Sequence, residues 1–241
     1  MKTNSYSLFR LFCACLCLCL LLCACSRVTE YTVRDDGGIY NKKSKQSYDA
    51  APSYYHAYSY HPDDVAGIYT DPDDGIEKNL YRITGSGNYL CDEEYNLYLP
   101  KGETLPALSE MEITKISLCQ PAAQFYAERS YTDSDEIAGI LNAVLGASVP
   151  YSRVQRSADQ NYSILFLDTD LGLVLELEYL VYVEPVIIYE PLNADGSAPA
   201  LYGVEPSVEE LSGEKVAVYD LGTQLILNRS AGVCCAVHDL L

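Results

Sequence analysis

The sequence has no tryptophan, four phenylalanines, two methionines and only three histidines among its 241 residues. His56 and His61 fall in a tyrosine-rich segment, and His238 stands three residues from the C-terminus. A Ser/His/Asp or Cys/His mechanism needs an imidazole held rigidly beside its nucleophile, and chain ends fray. Cys234 or Cys235 with His238 is the only nominal nucleophile and base pair, and its position argues against catalysis. G-x-S-x-G, H-E-x-x-H and G-x-x-x-x-G-K are all absent, which removes the usual elbow, zincin and phosphate-loop chemistries. The absence of C-x-x-C removes a thioredoxin-like site and a zinc knuckle. Positive charge is scarce as well: 16 Lys and Arg face 34 Asp and Glu, a formal charge of −18. Such a surface repels phosphate backbones and anionic lipid heads, so no nucleic-acid partner is expected. Metal ions, basic peptides and polyamines are the partners its charge permits.

Long apolar runs are confined to the N-terminus. Lys2 and Arg10 precede the stretch 11–22, which is basic then greasy, the order of an export signal. The stretch is shorter than the roughly 20 residues of a membrane span. It ends in Leu22-Cys23-Ala24-Cys25. These four residues resemble the lipobox of bacterial lipoproteins, and the chain as a whole resembles small uncharacterised lipoproteins of Gram-positive bacteria. The resemblance implies a signal peptide over 1–24, cleavage after Ala24 and a diacylglyceryl group on the sulfur of Cys25. It also implies a protein anchored to the extracytoplasmic face of the cell membrane, since two acyl chains give stable attachment. Residues 1–24 carry two basic side chains and no acidic one, so the remainder has 14 basic against 34 acidic residues, a formal charge of −20.

Residues 25–74 read as a disordered tether. They hold prolines at 52, 62 and 72, a Tyr/His-rich patch over 48–61 and few Leu, Ile or Val. With little aliphatic surface to bury, ordering entropy is expected to win, leaving a coil of roughly 40 Å root-mean-square span. A short echo, Pro62-Asp63-Asp64 and Pro72-Asp73-Asp74-Gly75, suggests turns. Its carboxylates lack the spacing of a calcium loop.

Residues 75–241 read as a single α+β domain, a mostly antiparallel sheet with one main amphipathic helix packed on one face. Strands are expected over 79–84, 89–99, 112–119, 125–131, 162–168, 171–183, 186–189, 200–204, 215–221 and 224–227, from alternating apolar residues. The helix is expected over 134–145. Asp133 caps it, Glu136 lies in capping-box spacing, and Gly146 ends it in left-handed geometry. Ile137, Ile140, Leu141, Val144 and Leu145 make one stripe. A second, short helix is expected around 207–211.

Of ten cysteines, Cys91, Cys119, Cys234 and Cys235 lie beyond the signal and anchor. Cys91 and Cys119 are open to a disulfide or to burial as free thiols, whereas a bond between the neighbours Cys234 and Cys235 is strained. Asp168-Thr169-Asp170 at a hairpin tip reads as an ordinary turn. Glu176 and Glu178 project from one strand face toward water and are the weak contact candidates. No catalytic residue, metal ligand or cofactor is assigned. The expected function is a non-catalytic binding or interaction module on the membrane surface. Its competitors are a cell-envelope hydrolase using paired carboxylates and a sensory or inhibitory module for a neighbouring envelope protein, marked by an open sheet edge.

Overall fold

A computed structural model of the chain describes residues 28–86, 88–120, 127–146, 149–154, 161–237 and 241. Residues 30–100 build a closed barrel where a tether is expected over 25–74. The strands are β1 (Glu30–Val33), β2 (Ile39–Tyr40), β3 (Ser47–Ala50), β5 (Tyr60–Thr70), β6 (Glu77–Ile83), β7 (Leu90–Asp92) and β8 (Leu97–Pro100), in the order β1-β2-β3-β8-β7-β6-β5. Parallel pairing of β5 with β1, Glu30 opposite Ile68 and Tyr31 opposite Tyr69, closes the ring. Tyrosines make this possible where aliphatic residues are few: Tyr31, Tyr69 and Tyr98 fill the interior with Ile39, Leu80 and Leu90. Gly67 sits at the closure, where an added Cβ would lie 2.5 Å from the Thr29 carbonyl oxygen and 2.6 Å from the Tyr31 ring. Pro62, which cannot donate to a ladder, lies where the pairing of β5 with β6 shifts register between Tyr60 and Val65.

One carboxylate organises the interior. Asp92 is fully buried; its Oδ2 accepts from Tyr69 Oη (2.8 Å), Tyr98 Oη (3.1 Å) and Asn96 Nδ2 (2.9 Å). Its Oδ1 accepts the backbone N–H groups of Glu94 (2.9 Å) and Asn96 (3.0 Å). Buried charge is tolerated only with such full partnering.

β4 (Tyr55–His56) leaves the barrel for a second, larger sheet. There β9 (Ile113–Cys119), β10 (Ala127–Tyr131), β11 (Val149–Pro150), β12 (Asn161–Thr169), β13 (Val174–Val181), β17 (Gln224–Asn228) and β18 (Val233–Ala236) run in the order β10-β9-β12-β13-β17-β18-β11. The first residues of β13 pair with β4 and the last with β17. A three-stranded sheet, β14 (Ile187–Pro191), β16 (Glu214–Asp220) and β15 (Ser207–Leu211) in that order, lies beside it. The helix α1 spans Ser134–Leu145, and Asp133 Oδ1 accepts from the N–H groups of Asp135 and Glu136.

The expected α+β class is therefore corrected. The chain is mostly β, 48% strand against 9% helical, and the helix is a minor partner in a core made by strands. One face of the central sheet, with Leu165, Leu167, Leu175 and Leu177, meets the outer wall of the barrel through Tyr81, Ile83, Cys91, Leu97 and Leu99. Ile137, Ile140 and Val144 of α1 enter the same cluster, while Leu145 is exposed. On the opposite face, Leu180, Leu225, Leu227 and Cys234 pack on Ile188, Ala217 and Tyr219 of the small sheet. Gly172, with φ +72°, lets the β12–β13 turn sit against the barrel, since a Cβ there would meet the Thr84 carbonyl oxygen at 2.3 Å.

Smaller differences have local causes. Residues 207–211 form a strand, not a short helix, because pairing with β16 places Glu210 opposite Lys215. Residues 200–204 contribute no strand. Gly146 closes the helix at φ −72°, outside left-handed geometry. Cys91 and Cys119 are free and buried in clusters on opposite faces of the central sheet, so the sheet itself stands between them. Among the described residues, no helix is long and apolar enough to cross a membrane.

Candidate functional site

The two sequence candidates on β13 are not open to solvent as expected. Register places Glu176 opposite Phe166 and Glu178 opposite Ile164, on the face turned from the main core. Glu178 is 7% exposed and accepts from the guanidinium of Arg229. Glu176 Oε2 lies 3.0 Å from His56 Nε2 on β4. Each carboxylate is committed to a cation or an imidazole. They therefore form no acid and nucleophile pair across a cleft, the arrangement a glycosidase requires.

What the fold assembles instead is a row of rings at the junction of barrel and sheet. His56 stacks on Tyr58 at 5.9 Å between centroids and meets Phe166 edge-on at 6.4 Å. Tyr58 meets Tyr95 at 4.5 Å and Phe166 at 6.3 Å. Beyond Tyr95, at 6.5 Å, comes Tyr60, which stacks on Tyr81 at 4.4 Å. His56, Tyr58, Tyr60 and Tyr95 are all partly exposed, while Phe166 and Tyr81 form the buried base of the row. Tyr95 occupies the tight turn between β7 and β8 at φ +67°, a conformation that costs a non-glycine residue of order 1 kcal/mol or more. Its carbonyl accepts from Ala57 N–H at 3.4 Å, so the turn is locked to the segment carrying His56 and Tyr58.

Carboxylates border the row. Glu176 lies at one end, and Glu93 Oε1 accepts from Tyr81 Oη (3.2 Å) and Asn79 Nδ2 (2.6 Å) at the other. Burial, and next the charge of Glu176, push the Tyr58 hydroxyl up to about 12. Burial likewise raises Asp168, which faces Lys115 at 3.9 Å. No family model matches this chain, and no curated protein or solved structure matches it.

The remaining sequence candidates do not converge on this row. Cys25 and His238 lie outside the described residues. Cys234 and Cys235 are buried on opposite faces of β18. Burial pushes the thiols of Cys91 and Cys235 up to about 12 and about 11, far from the thiolate form that reacts. Asp71, Asp73 and Asp74 close the β5–β6 turn, where Asp71 and Glu94 hold the Lys78 ammonium at 2.6 and 2.7 Å. Among the described residues no group of three metal-ligating side chains gathers. The ring row is not visible in the sequence because His56, Tyr58 and Tyr60 read as part of a tether, whereas Tyr81, Tyr95 and Phe166 read as separate strands. The spacing of His56, Tyr58 and Tyr60 at every second position was the available signal, since that period puts all three on one face of a strand.

Proposed function

We propose that this protein is a lipid-anchored, extracytoplasmic binding module that recognises cationic groups on its partner through the ring row. The observation carrying the reading is the coincidence, at one junction, of partly exposed aromatic faces with Glu176 and Glu93 at its two ends. Aromatic faces attract ammonium and guanidinium groups through their quadrupole, by about 0.5–2 kcal/mol each depending on desolvation. Carboxylates add long-range attraction, and a chain with 34 acidic residues has the field to gather such ligands. The anchor rests on the resemblance of Leu22 to Cys25 to a lipobox.

Because the chain lacks tryptophan, its ultraviolet emission comes from tyrosine alone, which makes a direct test simple. Titration with an arginine-rich peptide in physiological salt should change that emission saturably. Tyr58→Leu and Glu176→Gln should each weaken the response several-fold. An unsaturable change, or equal titrations of parent and variants, would assign the effect to diffuse surface charge and remove the site.

A second reading, a sensory or inhibitory module, is favoured by β15. All five of its residues are exposed, and its outer edge pairs with no described strand. Open edges recruit extended chains. A proline at Glu209 or Glu210 should abolish partner capture under this reading and leave it intact under the first.

A further inference from the structure

We infer that the barrel lies directly on the membrane, with the β2–β3 turn pressed into anionic lipid headgroups by Lys42, Lys43 and Lys45. The inference rests on the proposed anchor at Cys25 and adds the orientation and the lipid chemistry. In a chain with 16 basic residues, three fall within four positions here. All three lysines are exposed, and among the described residues none makes an ion pair. The turn is shaped by its polar neighbours. Asn41 Oδ1 accepts from Ser44 N–H (2.7 Å) and Ser44 Oγ (3.0 Å), Asn41 Nδ2 donates to the Glu30 carbonyl (2.5 Å), and Lys45 adopts φ +58°. Unpaired charge thus stands on a built turn.

The place where the chain enters the fold decides what faces those lysines. Val28, Thr29 and Glu30 line the same open groove, of about 770 Å³, as Lys42, Lys43 and Ser44. Only three peptide units separate Cys25 from Val28, and an extended chain spans at most about 3.6 Å per residue. A lipid on Cys25 therefore holds Val28 within about 11 Å of the acylated residue, comparable with the Debye length of about 8–10 Å at physiological ionic strength. Glu30 lines the groove beside these lysines.

Topology sorts charge along the barrel in the same sense. β1 runs parallel to β5 and antiparallel to β2. The lysine turn is therefore at the end where β1 begins, and the turns carrying Asp35, Asp36, Asp71, Asp73 and Asp74 are at the other. On an anionic bilayer this polarity turns the lysines toward lipid and the acidic turns away, despite the net negative charge. Each lysine near such a surface contributes about a fivefold preference.

The test uses the full chain, exported and extracted from bacterial membranes, with Ser44→Cys carrying an environment-sensitive fluorophore. The four described cysteines are buried and an acylated Cys25 has no thiol to react, so one label per chain, counted by intact mass, reports the turn. The protein is mixed with vesicles of phosphatidylcholine alone or with added phosphatidylglycerol. The expected result is a blue-shifted emission only with phosphatidylglycerol, reversed by 1 M salt and lost, tenfold or more, in Lys42→Gln/Lys43→Gln/Lys45→Gln. Equal emission on the two vesicles overturns the inference, and so does the same shift with soluble polyphosphate and no lipid. Intact mass of the same preparation reads the anchor separately. Acylated Cys25 with an indifferent probe removes the inference alone, whereas a responsive probe without acyl mass removes the anchor and leaves the lysine contact standing.

Discussion

Asp92 shows how a single side chain sustains a barrel whose walls are two to eleven residues long. Five donors converge on its carboxylate, and among them the Tyr69 and Tyr98 hydroxyls have burial and this carboxylate raising their ionisation above the ordinary phenol range. Removing the acceptor strands buried donors, each at a cost of about 1–3 kcal/mol. Asp92→Ala should therefore lower the unfolding free energy by several kcal/mol, read as a fall in the denaturant midpoint. Tyr69→Phe should cost less, and the pair should be less costly than the sum, because the second change removes a donor the first has orphaned. Strict additivity in chemical denaturation would show that the tyrosine and the aspartate do not act together.

Elements differ in how openly the sequence declares them. The helix Ser134–Leu145 was legible because its cap and its apolar stripe are local and agree with each other. The β12–β13 hairpin was legible from its alternation, although the register revealed a buried Glu178 that alternation alone places in water. The barrel was not legible. Its β2 and β4 are two residues long, its interior is one-half tyrosine, and its closure joins β1 to β5 across some thirty intervening residues. Short windows carry no periodicity, and pairing at a distance leaves no local mark. The ring row inherits the same illegibility, since His56 and Tyr58 meet Phe166 only after β4 has crossed to the second sheet. Gly67→Ala should cost about 1–3 kcal/mol through overpacking against Thr29 and Tyr31. Ile140→Asp, placing a charge at a position 1% exposed, should cost several kcal/mol or prevent folding. A melting transition equal to the parent's in either variant would contradict the packing described.

The whole molecule is built as one β body in which barrel, central sheet and small sheet share walls, and its tyrosines make it sensitive to base. Burial pushes Tyr31 and Tyr58 up to about 12 and Cys91 to about 12, against unfolded values near 10 and 8.5. These groups are neutral when folded. Their contribution is complete below the unfolded values and is lost as pH rises through the folded ones. Stability should hold to about pH 8 and decline toward pH 12, with the buried share of the tyrosinate absorbance rising in a steep step as far-ultraviolet circular dichroism falls. Titration of the full complement of phenols near pH 10 with the fold intact would place the buried ones in water.

The proposed anchor at Cys25 would join this body to a surface and would govern both the orientation of the lysine turn and the presentation of the ring row. The most direct measurement is the intact mass and first residue of the protein recovered from bacterial membranes. Cleavage after Ala24 with a diacylglyceryl mass on Cys25 is the expected result, together with loss of fatty-acid labelling in Cys25→Ala. A product released in soluble form without acyl mass, or one that retains residues 1–24, would contradict it.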